Sequence, residues 1–325
     1  MLDWTFIPLT LNQIISPQTI AFALAALGLA VHFGYTGLLN FGQAGFMAVG
    51  AYFFAITATR FDWPLWASVL AALVGATAFA FLLGIPTLRL RADYLSIVTI
   101  AAAEIVRYTV QTPDFSSFTG GSDGINGSEK GFEALDPLPD SVYKVGLVPY
   151  TNDDIWVIVV GWALVAVAAV FVWQLMRSPW GRIVKGIRED EDAVRSLGKN
   201  VYAFKLQALI IGGILGSLGA IINVIPTSLQ PNNYGTQTTF FLWTIMLLGG
   251  ATTVLGPIIG SILFWVVLGL SDGVIAILAT SHALPLSQVQ QGPVRFIIVG
   301  VALMLLVIFR PQGIFGKKKE AYFSA

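Results

Sequence analysis

The sequence predicts an all-α polytopic membrane protein with about nine to ten transmembrane helices, and three observations predict it. Hydrophobic residues make up 56% of the 325 positions, about 182. A spanning helix needs roughly 20 mostly apolar residues, so these fill about nine spans and leave little for a soluble domain. Only 36 residues carry a formal charge, 18 basic and 18 acidic, or 11%, where a soluble chain carries about 25%. The 22 Phe, 9 Trp and 33 Gly suit lipid contact and close helix packing. This composition argues against nucleic-acid binding and cytosolic enzymology. The absence of cysteine excludes disulfides, thiolate metal sites and cysteine nucleophiles. Met1 to Thr10 has no basic residue ahead of its apolar stretch, so no cleaved signal peptide is expected.

Long apolar runs bounded by charge or turn residues predict spans near 19–39, 42–59, 63–84, 94–112, 155–176, 206–226, 239–255, 257–279 and 294–310. The stretch 4–16 is short for a span and is read either as an interfacial helix or as a shortened tenth one. Residues 1–325 are read as one transmembrane domain.

Charge is sharply partitioned between the spans. Arg177, Arg182, Lys185, Arg188, Arg195, Lys199 and Lys205 crowd one connection, and Arg310, Lys317, Lys318 and Lys319 close the chain. The positive-inside tendency places both segments in the cytoplasm. The 113–154 segment holds Asp114, Asp123, Glu129, Glu133, Asp136, Asp140, Asp153 and Asp154 against two lysines, and is expected outside. Four spans after residue 205 return the tail to the cytoplasm; counting backward, Arg89 and Arg91 also fall inside. The outer segment reads as a solvated loop with several turns, or as a docking surface for an external partner.

In the 177–205 connection, the acids Glu189 to Asp192 precede Arg195 and Lys199, and Gly198 supplies a stop. This describes a short cytoplasmic helix over 190–198 whose charges oppose its dipole at both ends. Ala193, Val194 and Leu197 fall on one face as a small apolar knob. The helix either merely connects two spans or enters a groove on another protein.

Inside the spans, Asn40-Phe41-Gly42-Gln43 interrupts an apolar run with two amides and a glycine. Unpaired amides in hydrocarbon cost several kcal/mol. The interruption is therefore either a tight turn at the membrane surface or a broken helix lining a pathway. Glu104 and Arg107, at i and i+3 in a predicted span, are neighbours on one helix face and are expected to pair away from lipid. The pair either fixes helix register or belongs to a translocation route or gate. His32 and Asp272 are read as packed or interfacial residues rather than ligands. Gly212 with Gly216 and Gly256 with Gly260 are small-x-x-x-small pairs suited to close helix approach.

Several stretches resemble a known family. Asp192-Ala193-Val194 followed by three residues and Gly198, with Arg177-Ser178-Pro179-Trp180-Gly181-Arg182 before it, resembles the Glu-Ala-Ala-x-x-x-Gly loop of ABC importer permeases. Asp192 stands where that pattern has Glu, and Val194 where it has the second Ala. Gly34 to Tyr52, Arg91 to Thr99, Glu104-Ile105-Val106-Arg107, Thr119-Gly120-Gly121, Leu248-Gly249-Gly250 and Gly256 to Gly260 closely resemble the branched-chain amino acid permeases, in particular the LivM-type subunit. The resemblance runs from about residue 34 to 264.

The resemblance implies the ABC importer permease fold, a second permease subunit, two ATPase subunits on the cytosolic side and an extracytoplasmic solute-binding protein, in a bacterial or archaeal cytoplasmic membrane. It implies that Glu191, Asp192, Ala193, Val194, Leu197 and Gly198 form the coupling helix that docks into an ATPase, and that the substrate is Leu, Ile or Val; relatives carrying urea or short amides share the scaffold. No Gly-x-x-x-x-Gly-Lys-Ser/Thr occurs in the chain, so no cofactor is expected on it and ATP is used by partner subunits. An ion-coupled secondary transporter would employ Glu104 or Asp272 as its carboxylate. A membrane-embedded enzyme would need a cluster that two separated histidines and scattered charges do not make.

Overall fold

The computed structural model describes residues 6–88, 92–139, 141, 143–145, 148–280, 288–310 and 312–316. Arg89, Arg91, Asp140 and Lys317 to Lys319, which enter the topology reading, lie outside the described residues, as do the first two positions of 4–16. The chain runs α1 (Phe6–Asn12), α2 (Pro17–Leu29) continuing as a π-helix over Ala30–Tyr35, α3 (Gln43–Arg60), α4 (Leu65–Thr87) and α5 (Ala92–Gln111). Short α6 (Ser116–Thr119) and α7 (Lys130–Glu133) follow, then an antiparallel hairpin of β1 (Tyr143–Val145) and β2 (Val148–Tyr150). Next come α8 (Asn152–Arg177), α9 (Pro179–Glu189), α10 (Glu191–Ser196), α11 (Val201–Val224), α12 (Thr236–Gly249), α13 (Leu255–Thr280) and α14 (Gln288–Phe309). The fold is thus almost wholly helical, the hairpin being the departure from the predicted all-α class.

Each predicted span falls on a helix. Among the described residues, five are long and apolar enough to cross a membrane: Pro17–Tyr35, Leu65–Thr87, Asn152–Arg177, Val201–Val224 and Leu255–Ala279. The described part of α1 has seven residues, about 10 Å of rise; it packs on α13 through Thr10, which Gly269 faces. Two predicted boundaries need correction. The 19–39 span ends at Tyr35, where the backbone leaves the helix. The 239–255 span ends at Gly249, because Gly250 takes φ +118 and turns the chain.

The core forms around α2, of whose 13 residues all but the first two are buried. Its glycine and those of α11 permit backbone contact: a Cβ on Gly28 would lie 2.3 Å from the Gly212 carbonyl oxygen, and one on Gly219 2.4 Å from that of Ala21. These pairings make α2 and α11 antiparallel. Phe46 against Gly213 and Ser217 against Gly50 then show α3 running parallel to α11. The expected Gly212/Gly216 and Gly256/Gly260 pairs do serve close packing, the second seating α13 on the Ile245 carbonyl of α12. Helices α9 and α10 form a corner between α8 and α11, at what we call the basic end of the bundle; the acidic 113–154 segment lies at the other end, between α5 and α8.

Candidate functional site

Between the π-helix and α3, residues 36–42 have no regular structure, yet they are not at the surface: Asn40 and Gln43 are completely buried. The polar groups of the interruption are therefore enclosed by the chain itself, as a broken helix would require. The segment ends about midway along α11, where the Gln43 side-chain amide donates to the Gly212 carbonyl at 3.0 Å and to that of Ala25 at 3.3 Å.

A buried break demands that each freed polar group find a partner. Asn40 Oδ1 accepts from the Gly42 amide at 2.8 Å, and Asn40 Nδ2 lies 2.9 Å from His32 Nδ1 and 3.3 Å from Gln43 Oε1. His32 Nε2 meets the Leu209 carbonyl at 3.1 Å. With Nε2 protonated the ring donates to the carbonyl and accepts from Asn40, so this histidine is packed and satisfied as the sequence reading expected. Three residues distant in sequence complete the shell. The Phe41 amide donates to Thr99 of α5 at 3.0 Å, the Ala44 amide donates to Thr239 of α12 at 3.2 Å, and Trp243 of α12 donates to the Asn40 carbonyl at 3.2 Å. Phe41 also stacks on Trp243, with ring centroids 4.4 Å apart. Gly42 is required by contact, since a Cβ there would sit 2.4 Å from the Thr99 carbonyl oxygen.

Glu104 and Arg107 pair as expected, with guanidinium nitrogens 2.6 and 2.8 Å from Glu104 Oε2. The other carboxylate oxygen has a second task that i, i+3 spacing did not disclose. It accepts from the Thr236 amide at 2.9 Å and from the Thr236 hydroxyl at 2.6 Å. Glu104 therefore caps the N-terminus of α12, where orphan amides and the helix dipole favour an anion. Helix α12 has 14 residues and ties Glu104 at one end to the break at Asn40 through Thr239 and Trp243.

At the basic end, α10 forms over Glu191–Ser196 within the predicted 190–198. The Asp190 side chain accepts from the Ala193 amide at 2.9 Å, and Gly198 takes φ +75 just past the C-terminus, the predicted stop. Arg195 bonds Asp192 and Glu191, each at 2.7 Å, and Lys205 pairs with Glu191. The apolar knob does not present all three predicted residues. Val194 is 8% exposed because it packs against Ile187 and Val201, with Gly186 beside it, while Ala193 is exposed and Leu197 is 78% exposed. Of the residues expected to dock, Asp192, Ala193, Leu197 and Gly198 are exposed. Asp272, on α13, is half-buried and borders a polar cavity of about 910 Å³ with Asn223, Gln237 and Thr238. Among the described residues, no group of three or more His, Cys, Asp or Glu is placed to hold a metal ion.

The profile of the family described as branched-chain amino acid transport system, permease component, matches residues 13–308. The chain belongs to this family. It is 31% identical to the high-affinity branched-chain amino acid transport system permease protein LivM of Salmonella typhimurium, over 96% of this chain and 71% of the relative. A probable branched-chain amino acid permease LivM of Methanocaldococcus jannaschii is 23% identical over 91% and 90% of the two chains. The nucleoside ABC transporter permease NupC of Lactococcus lactis is 26% identical over 85% and 86%. No solved structure matches. The protein is therefore a transmembrane permease of the ABC transporter type, and such transport subunits are not themselves enzymes.

The sequence motifs Asn40 to Gln43 and Glu104/Arg107 prove to be neighbours in this ABC permease, joined through α12. The residues that sequence reasoning missed are the joining ones: Thr99, Thr236, Thr239 and Trp243. Thr236 had one local signal, its place just after Gly235 at the start of an apolar run; Trp243 and Thr99 had none.

Proposed function

We propose that this permease imports Leu, Ile or Val across a bacterial or archaeal cytoplasmic membrane. A second permease completes the pathway at the subunit interface, an extracytoplasmic solute-binding protein delivers the ligand, and two ATPase subunits supply the energy. The observation that carries this reading is the likeness to LivM over 96% of the chain. The basic end, with α9 and α10, faces the cytosol in accordance with the charge partition, so that the tail is cytosolic and the 113–154 segment external. About nine or ten crossings accommodate this arrangement.

In the proposed cycle, closure of the ATPases on nucleotide moves the 190–198 helix through Asp192, Ala193 and Leu197. The attached helices then rock between two arrangements, opening the pathway first to one side and then to the other. The broken helix at Asn40, Phe41, Gly42 and Gln43, with Glu104 and Arg107, borders the moving part. ATP binds the partner subunits and no cofactor binds this chain.

The likeness to NupC favours a second reading of the substrate, a nucleoside, and urea or short amides remain the other alternative within the scaffold. The test is ATP-dependent uptake of labelled leucine by the complete importer in proteoliposomes. Unlabelled valine and isoleucine should compete, while guanosine, urea and acetamide should not. Competition by guanosine or acetamide, with none by valine, would overturn the assignment.

A further inference from the structure

The break in the bundle and the corner formed by α9 and α10 meet at the end of the π-helix. The π-helix leaves the Gly34 carbonyl without a backbone donor among the described hydrogen bonds: the Gly37 amide goes to Phe33 and the Leu38 amide goes back to His32. Arg188 of α9 supplies the missing donor through a guanidinium N–H. Its aliphatic stem also packs on Gly37, where a Cβ would lie 3.1 Å from Arg188 Cγ and where φ is +76. Beside it, Lys185 of α9 sits 5.7 Å over the Tyr35 ring.

Both sides of this contact are stiff. Asp190 ends α9 and caps α10, and Val194 packs into Ile187 and Gly186, so α9 and α10 form one corner piece. On the other side, Gly34 lies so close to the turn between α12 and α13 that a Cβ would meet the Ala251 carbonyl oxygen at 1.8 Å. Residues 36–42 then lead directly into the Asn40 network. A π-helical segment is a costly conformation, commonly found at functional sites, and here it ends on a charge-assisted hydrogen bond.

We propose that Arg188 is the positioning residue that transmits displacement of the α9–α10 corner to the broken helix, by holding the Gly34 carbonyl. The inference rests on the coupling role of α10 proposed above and names the link by which that role reaches the interior. When α10 moves with an ATPase, the guanidinium carries the end of the π-helix with it, and residues 36–42 shift against Thr99, Thr239 and Trp243. Gly37 admits the arginine stem and the required backbone angle at once.

The experiment uses the complete importer with Arg188→Ala, Arg188→Lys and, separately, Asp192→Arg/Leu197→Arg. Uptake per ATP hydrolysed is measured in proteoliposomes. Thiol labelling of a cysteine at Leu39, the sole cysteine of the chain, is followed with and without a non-hydrolysable ATP analogue. In Arg188→Ala the ATPases should still co-purify, uptake per ATP should fall roughly tenfold, and labelling at 39 should lose its dependence on nucleotide; Arg188→Lys should recover part of both. Labelling at 39 that responds to nucleotide equally in Arg188→Ala and in the parent would overturn the link. The double variant tests the underlying reading separately: if its ATPases remain bound and uptake is normal, the coupling role of α10 itself fails.

Discussion

The interior break and the α9–α10 corner are both interruptions of helix, and they are held in opposite ways. At the break, the Asn40 and Gln43 side chains are completely buried, and their bonds go to groups from four other elements: His32, Gly212, Ala25 and, through their backbone neighbours, Thr99 and Thr239. At the corner, α10 is held by its own cap, by Val194 packed on Ile187 and Val201, and by ion pairs of Arg195 with Glu191 and Asp192 and of the half-buried Lys205 with Glu191, all from residues near it in sequence. An unsatisfied amide costs little in water and much in an apolar interior. The break therefore has to be determined by the rest of the bundle, whereas the corner is specified locally and leaves one face free for a partner.

That contrast fixes the order of expected effects. Replacing Asn40 by Leu removes the acceptor of the Gly42 amide and the partner of His32 Nδ1. Orphaning these two buried groups should destabilise the protein by about 4 kcal/mol, seen as a large drop in thermal midpoint in detergent; an unchanged midpoint would show that the break tolerates unpaired groups. Glu104→Gln keeps an oxygen for Thr236 but strips Arg107 of its counter-charge, and should lose about 2 kcal/mol with uptake still independent of protons and sodium. A new or lost ion dependence in that variant would instead favour the secondary-transporter reading. Asp190→Ala removes only a cap, worth about 1 kcal/mol. Its effect should be confined to faster hydrogen exchange over 190–198 with the global midpoint unmoved, and a cooperative loss would mean that the corner is not locally specified.

Much of the fold was legible because apolar runs and turn residues act locally. The long helices among the described residues lie where hydrophobic stretches placed them, and Asp190 and Gly198 start and stop α10 as their chemistry dictates. What was not legible depended on distant partners. The apolar face of α10 looked uniform in sequence, but α9 folds back against it and buries Val194 while leaving Leu197 free. Glu104 and Arg107 read correctly as a pair, yet the α12 N-terminus that Glu104 caps begins 132 residues later. The polar interruption at Asn40 was visible as a cost in hydrocarbon; only the packing around α11 showed that it is met inside the bundle rather than at the surface. The 239–255 boundary failed for a local reason, since Leu248-Gly249-Gly250 reads as apolar but Gly250 turns the chain.

The central claim is that the corner formed by α9 and α10 is where separate ATPase subunits act on this permease. The chain is naturally free of cysteine and Leu197 is 78% exposed, so a single cysteine at 197 reports on that surface alone. In the assembled importer it should cross-link to an ATPase subunit and, in intact cells, resist membrane-impermeant reagents added outside. Labelling from outside, or a complex in which the cysteine reaches no ATPase, would contradict the account.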